Sequence, residues 1–526
     1  MRPLLACLLL ATVPHATEDE RPNIVFLFTD DHAPHAIGAY GGWLAGVDPT
    51  PQIDRLAAQG LRFENSFCTN SICGPSRAVI LTGKHSHLNG FRDNGDLFDG
   101  DQPTFPKMLR AAGYQTAILG KWHLKSDPQG FDHWEVLPGQ GDYYNPVLLS
   151  AEGRRTVEGY CTDIVTDLAI EWMESQRSSD APFLLMAQHK APHRNWMPAP
   201  RHLNLWDDVD LPEAPTLFDE WLDNAPPARH QEMSIEHELN LVYDLFLEPW
   251  EGWDPRAGRA LDSSGFRNLE RMTPEQRATW DAAYADENQA FRDAELTDEE
   301  LVRWKYQRYL KNYLRTIRGV DESVGRILSY LDETGLADNT IVVYSSDQGF
   351  YLGDHGWYDK RWMYEESLRM PLIVRWPGVT EPGSVSNELV QNLDYAPTLL
   401  EAAGVAIPED MQGRSLLPLL RGEAPADWRD AIYYHYYAYP SVHQVARHYG
   451  IRTRTHKLMH FYQFGEWELY DLDADPDELR NLYGDPAHTD VMASLAVRLG
   501  ELRAHYADDS DVSLMPAEWQ RERRAR

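Results

Sequence analysis

The chain has 526 residues, 25% of them charged, and a formal net charge of −33. So acidic a protein excludes a phosphate-backbone partner, and nucleic acid is set aside as a ligand class. Four cysteines are too few for a disulfide framework, and the length suffices for a large core in more than one domain.

The first residues have the pattern of an export signal. Arg2 supplies a short positive region, residues 4–13 form an apolar run too short to span a bilayer, and cleavage after Ala16 fits. Residues 1–16 are therefore expected to be a signal peptide, making the mature chain secreted or periplasmic. Leu4-Leu5-Ala6-Cys7 also allows a lipoprotein box, although almost nothing precedes it. No other segment is long and apolar enough to be transmembrane. Cys68, Cys73 and Cys161 would remain after cleavage, and a Cys68–Cys161 bridge stays open.

Residues 24–28 are a continuous apolar run, as in a strand buried on both faces, and they end in Thr29-Asp30-Asp31. Thr50 is placed as an N-cap with Pro51 at the first helical position. Ile53, Leu56 and Ala57 make the inner face, and Gly60 is the stop. Residues 104–112 repeat this design with Gly113 as the stop, and strands follow at 114–119 and 183–187. Such alternation predicts a doubly wound α/β domain over residues 22–423, its large, mostly parallel sheet sandwiched by helices.

Residues 201–300 break the pattern. They are rich in Asp, Glu, Trp and Pro and carry roughly half of the net negative charge. They read as an insertion of helices and long loops, either a solvated face or a wall beside a substrate cleft. Leu310, Leu314, Ile317, Val320, Val324, Ile327 and Leu331 then recur at helical spacing, ahead of a buried strand at 341–344. Residues 424–510 combine Tyr-rich and short β segments with a final amphipathic helix. They predict a smaller α+β domain, an antiparallel sheet plus helix, followed by a charged tail at 511–526.

Asp30 and Asp31 sit where one buried strand ends, and Asp347 and Gln348 where another ends. Ligands collect at the carboxyl ends of strands in open α/β sheets. Three carboxylates and an amide oxygen there make a hard-oxygen cation site, with Ca2+ the first choice and Mg2+ the second. Cys73 precedes Pro75 and Ser76, which suggest a helix start, where unpaired N–H groups favour an anion. Arg77 lies one turn further on. Lys121 and His123 follow a strand and, in extended chain, point to the same side.

Cys73-Gly74-Pro75-Ser76-Arg77 followed by Leu81-Thr82-Gly83 resembles the signature of the type I, formylglycine-dependent sulfatases of the alkaline phosphatase superfamily. The resemblance runs from about residue 23 to about residue 486. It implies that a formylglycine-generating enzyme acts transiently on Cys73 and oxidises it to an aldehyde. One hydroxyl of the aldehyde's hydrate would attack sulfur, and the other would lose a proton and expel sulfate. It also implies that Asp30, Asp31, Cys73, Asp347 and Gln348 hold the metal, with Gln348 where the family often has Asn. Arg77 would hold the formylglycine hydroxyl, Lys121 and Lys360 would bind sulfate, His123 would assist sulfate release, and His193 would be the general acid, with His189 in reserve. His355 and Arg361 are candidates for contacting the sugar.

Residues 82–87, 137–146 and 349–372 are similar to the N-acetylglucosamine-6-sulfatases and related bacterial polysaccharide sulfatases. They point to a sulfated glycan bearing a sugar 6-sulfate. Two alternatives stay open. One is a phosphate or phosphonate ester hydrolase on the same fold, and the other is a glycan-binding protein whose Cys73 is never oxidised.

Overall fold

The apolar run of residues 24–28 forms the strand it predicts, β1 (Asn23–Thr29), at the centre of a ten-stranded sheet. The computed structural model describes residues 21–248 and 268–510. The expected signal peptide, the Cys7 lipoprotein box, part of the acidic insertion and the 511–526 tail lie outside the described residues.

The other strands of this sheet are, in chain order, β2 (Leu61–Phe63), β3 (Gln115–Lys121), β4 (His133–Leu137), β5 (Val147–Ser150), β6 (Gly153–Thr156), β7 (Phe183–Gln188), β8 (Thr340–Ser346), β9 (Leu372–Arg375) and β10 (Ser384–Ser386). Their spatial order is β10-β2-β9-β8-β1-β7-β3-β4-β5-β6. The central run β8-β1-β7-β3-β4 is parallel throughout, and antiparallel pairs join its two flanks. β1, β7, β3 and β8 therefore all end at one edge, where the expected acids lie.

Alternation along β1 divides the core. Ile24, Phe26 and Phe28 pack on one face with the helix α2 (Cys73–Thr82), and Val25 and Leu27 pack on the other with the helix α1 (Pro51–Gln59) and the long helix α3 (Asp298–Glu333). Each layer buries one face of the sheet, the usual solution for a central parallel sheet. The apolar positions of α3 read from the sequence, Leu310 to Leu331, are all buried. Cys68 belongs to the first layer and Cys161 to the second. The sheet separates them, and both thiols are free, so the bridge left open by the sequence is not formed.

A four-stranded antiparallel sheet follows, built from Ala431–Tyr436, His448–Thr453, His456–Phe461 and Glu466–Asp471, with a helix over Thr489–His505 packed on it. Its first strand reaches the large unit, since the His435 amide bonds the Thr69 carbonyl. The described part of the insertion consists, up to residue 248, of turns and loops with one short helix, Pro226–Arg229, and then of a capped helix, Pro274–Ala294. Among the described residues, no helix is long and apolar enough to cross a membrane.

Candidate active site

Helix α2 begins at Cys73 itself, after an extended Ile72, and all ten of its residues are buried. Its first turn is fixed by side chains from elsewhere. Asn94 Oδ1 accepts from the Gly74 amide at 3.1 Å. The Ser76 hydroxyl bonds the Asp347 carbonyl and accepts from Asn392 Nδ2 at 2.8 Å. Cys73 is thereby held at a helix N-terminus over the strand ends.

The acids converge there as expected. Carboxylate oxygens of Asp30, Asp31 and Asp347 lie within 4.8 Å of one another, and so do ligand atoms of Asp30, Cys73 and His193. Arg77 directs Nε and one terminal nitrogen to Asp347 Oδ2, at 3.1 and 2.9 Å. Its other terminal nitrogen donates to the Lys121 carbonyl and to Gln188 Oε1, both at 2.7 Å. Lys121 Nζ bonds Asp30 and Gln140, and Lys360 Nζ lies 2.6 Å from Asp31 Oδ2. The protein is strongly acidic, yet this edge of the sheet is dense in buried cations, which a sulfated ligand requires.

The donor set fits a hard divalent cation. Asp30 Oδ1 and Gln348 Oε1 are buried without a hydrogen-bond partner, while Gln348 Nε2 donates to Asp31 and Asp347. Turning that amide would aim its oxygen at the carboxylates, an arrangement that a bound cation would stabilise. Burial pushes the Asp31 carboxyl up to about 7, against the pull of Lys360 and with Asp347 and Asp359 adding to the rise. Three carboxylates packed so closely gain most from a metal ion.

Burial likewise pushes the Cys73 thiol up to about 12. An unmodified thiol at this place is protonated and a poor nucleophile. Burial first, and then Lys121 and other nearby cations, push the His123 and His193 imidazoles well below their ordinary range. His193 Nδ1 donates to the Arg194 carbonyl, and its Nε2 faces Asp31 at 3.9 Å.

Three sequence expectations are corrected by the geometry. Lys121 and His123 do not extend side by side, because β3 ends at Lys121 and His123 turns into the left-handed region at φ 58°. His189 bonds Ser323 of α3 at 3.0 Å, and α3 packs on the face of the sheet opposite the helix that starts at Cys73, so the ring is turned away from the place of a reserve acid. His355 is fully enclosed, with Asp219 and Glu366 on its two ring nitrogens and Tyr351, Trp357 and Tyr364 around it. It does not face a sugar. Arg361 does remain beside the centre. Burial opposes its charge, but Asp359, Tyr436 and Cys73 nearby outweigh this and hold the guanidinium firmly charged.

Several residues of the site escaped the sequence reading. Gln140 lies in the 137–146 segment that was read only for its resemblance. Gln188 is the last residue of β7, and Asp359 precedes Lys360. Lys190 is 5% exposed, stands 4.7 Å over the Tyr143 ring, and is pushed down to about 8 by burial. Its place between His189 and His193 was the one available signal.

Comparison with known proteins identifies relatives along nearly the whole chain. Residues 22–405 match the family model described as Sulfatase, and residues 353–505 match the one described as N-sulphoglucosamine sulphohydrolase, C-terminal. The chain is 50% identical over 514 residues to an N-acetylglucosamine-6-O-sulfatase of Bacteroides thetaiotaomicron, covering 96% of this chain and 90% of that one. It is 27% identical to the human N-acetylglucosamine-6-sulfatase, over 89% and 82% of the two chains. A solved structure holding its substrate D-glucosamine-2-N,6-O-disulfate superposes with a TM-score of 0.89 at 49% identity, covering 94% of this chain and 99% of that one. The phosphonate monoester hydrolase of Agrobacterium radiobacter shares the fold, with a TM-score of 0.66 at 21% identity over 92% and 96% of the chains.

Proposed function

The chain belongs to the sulfatase family, and from that premise we propose that it removes the 6-sulfate of a glucosamine-type sugar, using an oxidised Cys73 and a calcium ion. Hydrolysis of a sugar sulfate ester is the activity that the family and the 50% identical relative carry. The 6-position is the reading favoured by that relative's named activity. The observation that carries it is the convergence of Asp30, Asp31, Asp347 and Cys73 within one ring of buried cations.

Asp30, Asp31, Asp347, Gln348 and residue 73 would hold the metal. A bound hard cation lowers the pKa of an oxygen nucleophile and screens sulfate oxygens, with Mg2+ the second choice. As a hydrated formylglycine, residue 73 supplies two hydroxyls, one to attack sulfur and one to expel sulfate. The chain's own groups do the remainder. Arg77, fixed on Asp347, Gln188 and the Lys121 carbonyl, holds the residue-73 hydroxyl in line.

Lys121 and Lys360 flank the carboxylates and bind sulfate oxygens, and preorganised cations of this kind give the largest stabilisation of developing charge. His193, held through Nδ1 on the Arg194 carbonyl, would protonate the leaving sugar oxygen from Nε2 as an imidazolium, a form that the negative charge of a bound sulfate ester favours by countering the burial and the cations that otherwise keep the ring neutral. His123, kept neutral by burial and neighbouring cations, takes the proton of the second hydroxyl. Arg361, charged and 6% exposed beside Tyr436, is placed to meet the substrate. Oxidation calls for a formylglycine-generating enzyme as transient partner, and the N-terminal export pattern puts the reaction in the periplasm or outside the cell.

The test is direct. Metal-loaded, oxidised protein is offered glucosamine and N-acetylglucosamine sulfated at positions 6, 4, 3 or 2, and released sulfate is measured. Release confined to the 6-sulfates supports the reading. Release from none of them, from protein whose Cys73 peptide has the aldehyde mass, refutes it. An aryl phosphate ester in the same assay distinguishes the phosphoryl-transfer alternative.

A further inference from the structure

Asp244 comes from the acidic insertion, where sequence alone suggested a solvated face or a cleft wall. It is 0% exposed and accepts four hydrogen bonds. Oδ1 receives Arg194 Nε at 2.6 Å and Asn195 Nδ2 at 3.2 Å, and Oδ2 receives an Arg194 terminal nitrogen and the Asn240 amide, both at 2.9 Å.

Arg194 extends in two directions from this anchor. Its backbone carbonyl accepts a hydrogen bond from His193 Nδ1, which fixes the ring and leaves Nε2 facing Asp31 at 3.9 Å. Its guanidinium lies between the rings of Tyr243 and Tyr358 and points a terminal nitrogen at His443 Nε2, 3.2 Å away. His443 donates through Nδ1 to the Glu232 carbonyl, and its Nε2 lies between that Arg194 nitrogen and Asp359 Oδ2, 3.0 Å away, serving one of them at a time, as acceptor or as donor. Asp359 directly precedes Lys360 and Arg361.

That last segment needs external support. Asp359 and Arg361 have φ of 78° and 100°, a region that residues bearing a β-carbon occupy only when their surroundings hold them there. One insertion carboxylate thus connects to both arms that meet the sulfate ester, the His193 loop and the Asp359–Arg361 segment.

We propose that Asp244 is a positioning residue which, through Arg194 and His443, holds the general acid His193 and the sulfate-binding segment Asp359–Arg361 in register with residue 73. This rests on the sulfatase reading above. It gives the acidic insertion a role as a buttress of the active site.

The test separates positioning from stability. Asp244→Asn keeps the shape and removes the charge. The double variant Asp244→Leu/Arg194→Met removes both charges, so no unpaired ion stays buried, and stability is expected to return toward wild type. All forms are assayed as metal-loaded, oxidised enzyme for kcat and KM on a 6-sulfated amino sugar, for affinity to inorganic sulfate by calorimetry, and for melting temperature.

The expected result is a fall in kcat of at least tenfold in Asp244→Asn, with weaker sulfate binding. The double variant should regain melting temperature while kcat and sulfate affinity stay low. Recovery of activity together with stability in the double variant would overturn the proposal. So would an Asp244→Asn enzyme with wild-type kcat and sulfate affinity. Wild-type protein that releases sulfate from no substrate would instead sink the functional reading, which keeps the two failures apart.

Discussion

The hydroxyl of Tyr313, on the long helix, donates to the backbone carbonyl of Asp31 at 2.6 Å and accepts from the Ala33 amide at 3.0 Å. Asp31 depends on that staple. Its φ of 71° lies in the left-handed region, which lets one carboxylate face Lys360 while the chain turns off the end of β1. Tyr313→Phe leaves a buried carbonyl and a buried amide unpaired, at about 1–3 kcal/mol each. Calcium affinity is expected to fall by about 10- to 100-fold, the usual effect of losing a residue that orients a metal ligand. Titration of metal-free protein with calcium checks this, and unchanged affinity would remove Tyr313 from any part in the site.

Cys73→Ala is expected to abolish turnover and leave the fold intact. The substitution removes only the polar end of one buried side chain, and Asn94, Ser76 and Asn392 still hold the first turn of α2. Activity that persists in this variant contradicts the nucleophile assignment. Lys360→Met probes a different step. Lys360 is 2% exposed and stands on Asp31, so its loss withdraws a cation from the sulfate and leaves the carboxylate less balanced. A fall in kcat/KM of about 10²- to 10³-fold is expected, as for the loss of one preorganised donor. Steady-state rates on a 6-sulfated sugar measure it.

Gly349 follows Gln348, the amide proposed to hold the cation, and is crowded by backbone. A β-carbon there would stand 2.0 Å from the Glu366 carbonyl oxygen and 2.3 Å from that of Arg369. Neither neighbour can rotate aside, since both are main chain, and the Gly349 amide is bonded to the Ser367 carbonyl. Gly349→Ala must therefore push the Asp347–Gln348 turn away from the end of β8. We expect a loss of calcium binding together with a destabilisation of about 1–3 kcal/mol, the range for overpacked interiors. Urea unfolding with and without calcium checks both effects. A variant that binds calcium as wild type does would show that the turn tolerates the added carbon.

The strand ends and the helix start were legible because local chemistry specifies them. An apolar run of five residues ending in Asp30-Asp31 fits a buried strand reaching a polar edge, and Cys73-x-Pro-Ser-Arg combines a helix start with an unusual residue set. The corrected positions depended on what no local pattern encodes. His189 and His355 are ordinary His residues in polar loops until Ser323, Asp219 and Glu366, from distant parts of the chain, take their ring nitrogens. His123 left the expected side because one left-handed dihedral ends the alternation of β3. Asp244 lies in a stretch so acidic that nothing marks it among its neighbours, and only the buried Arg194 singles it out.

His355 supplies a pH dependence whose sign follows from its partners. Burial opposes its charge, but Asp219 and Glu366 outweigh burial and raise it from 6.5 to about 10. A histidine whose folded pKa exceeds its unfolded value adds stability that is fully present below the unfolded value. That contribution is lost as pH climbs through the folded one. The window is therefore about 6.5 to 10. Wild type and His355→Gln are compared by urea unfolding across it. The stability difference should be greatest near pH 6 and shrink steadily toward pH 10, because the neutral imidazole no longer repays the burial of two carboxylates. A difference that stays constant over this range would mean that His355 is held neutral, and that its rings of aromatic neighbours, rather than Asp219 and Glu366, account for its place in the core.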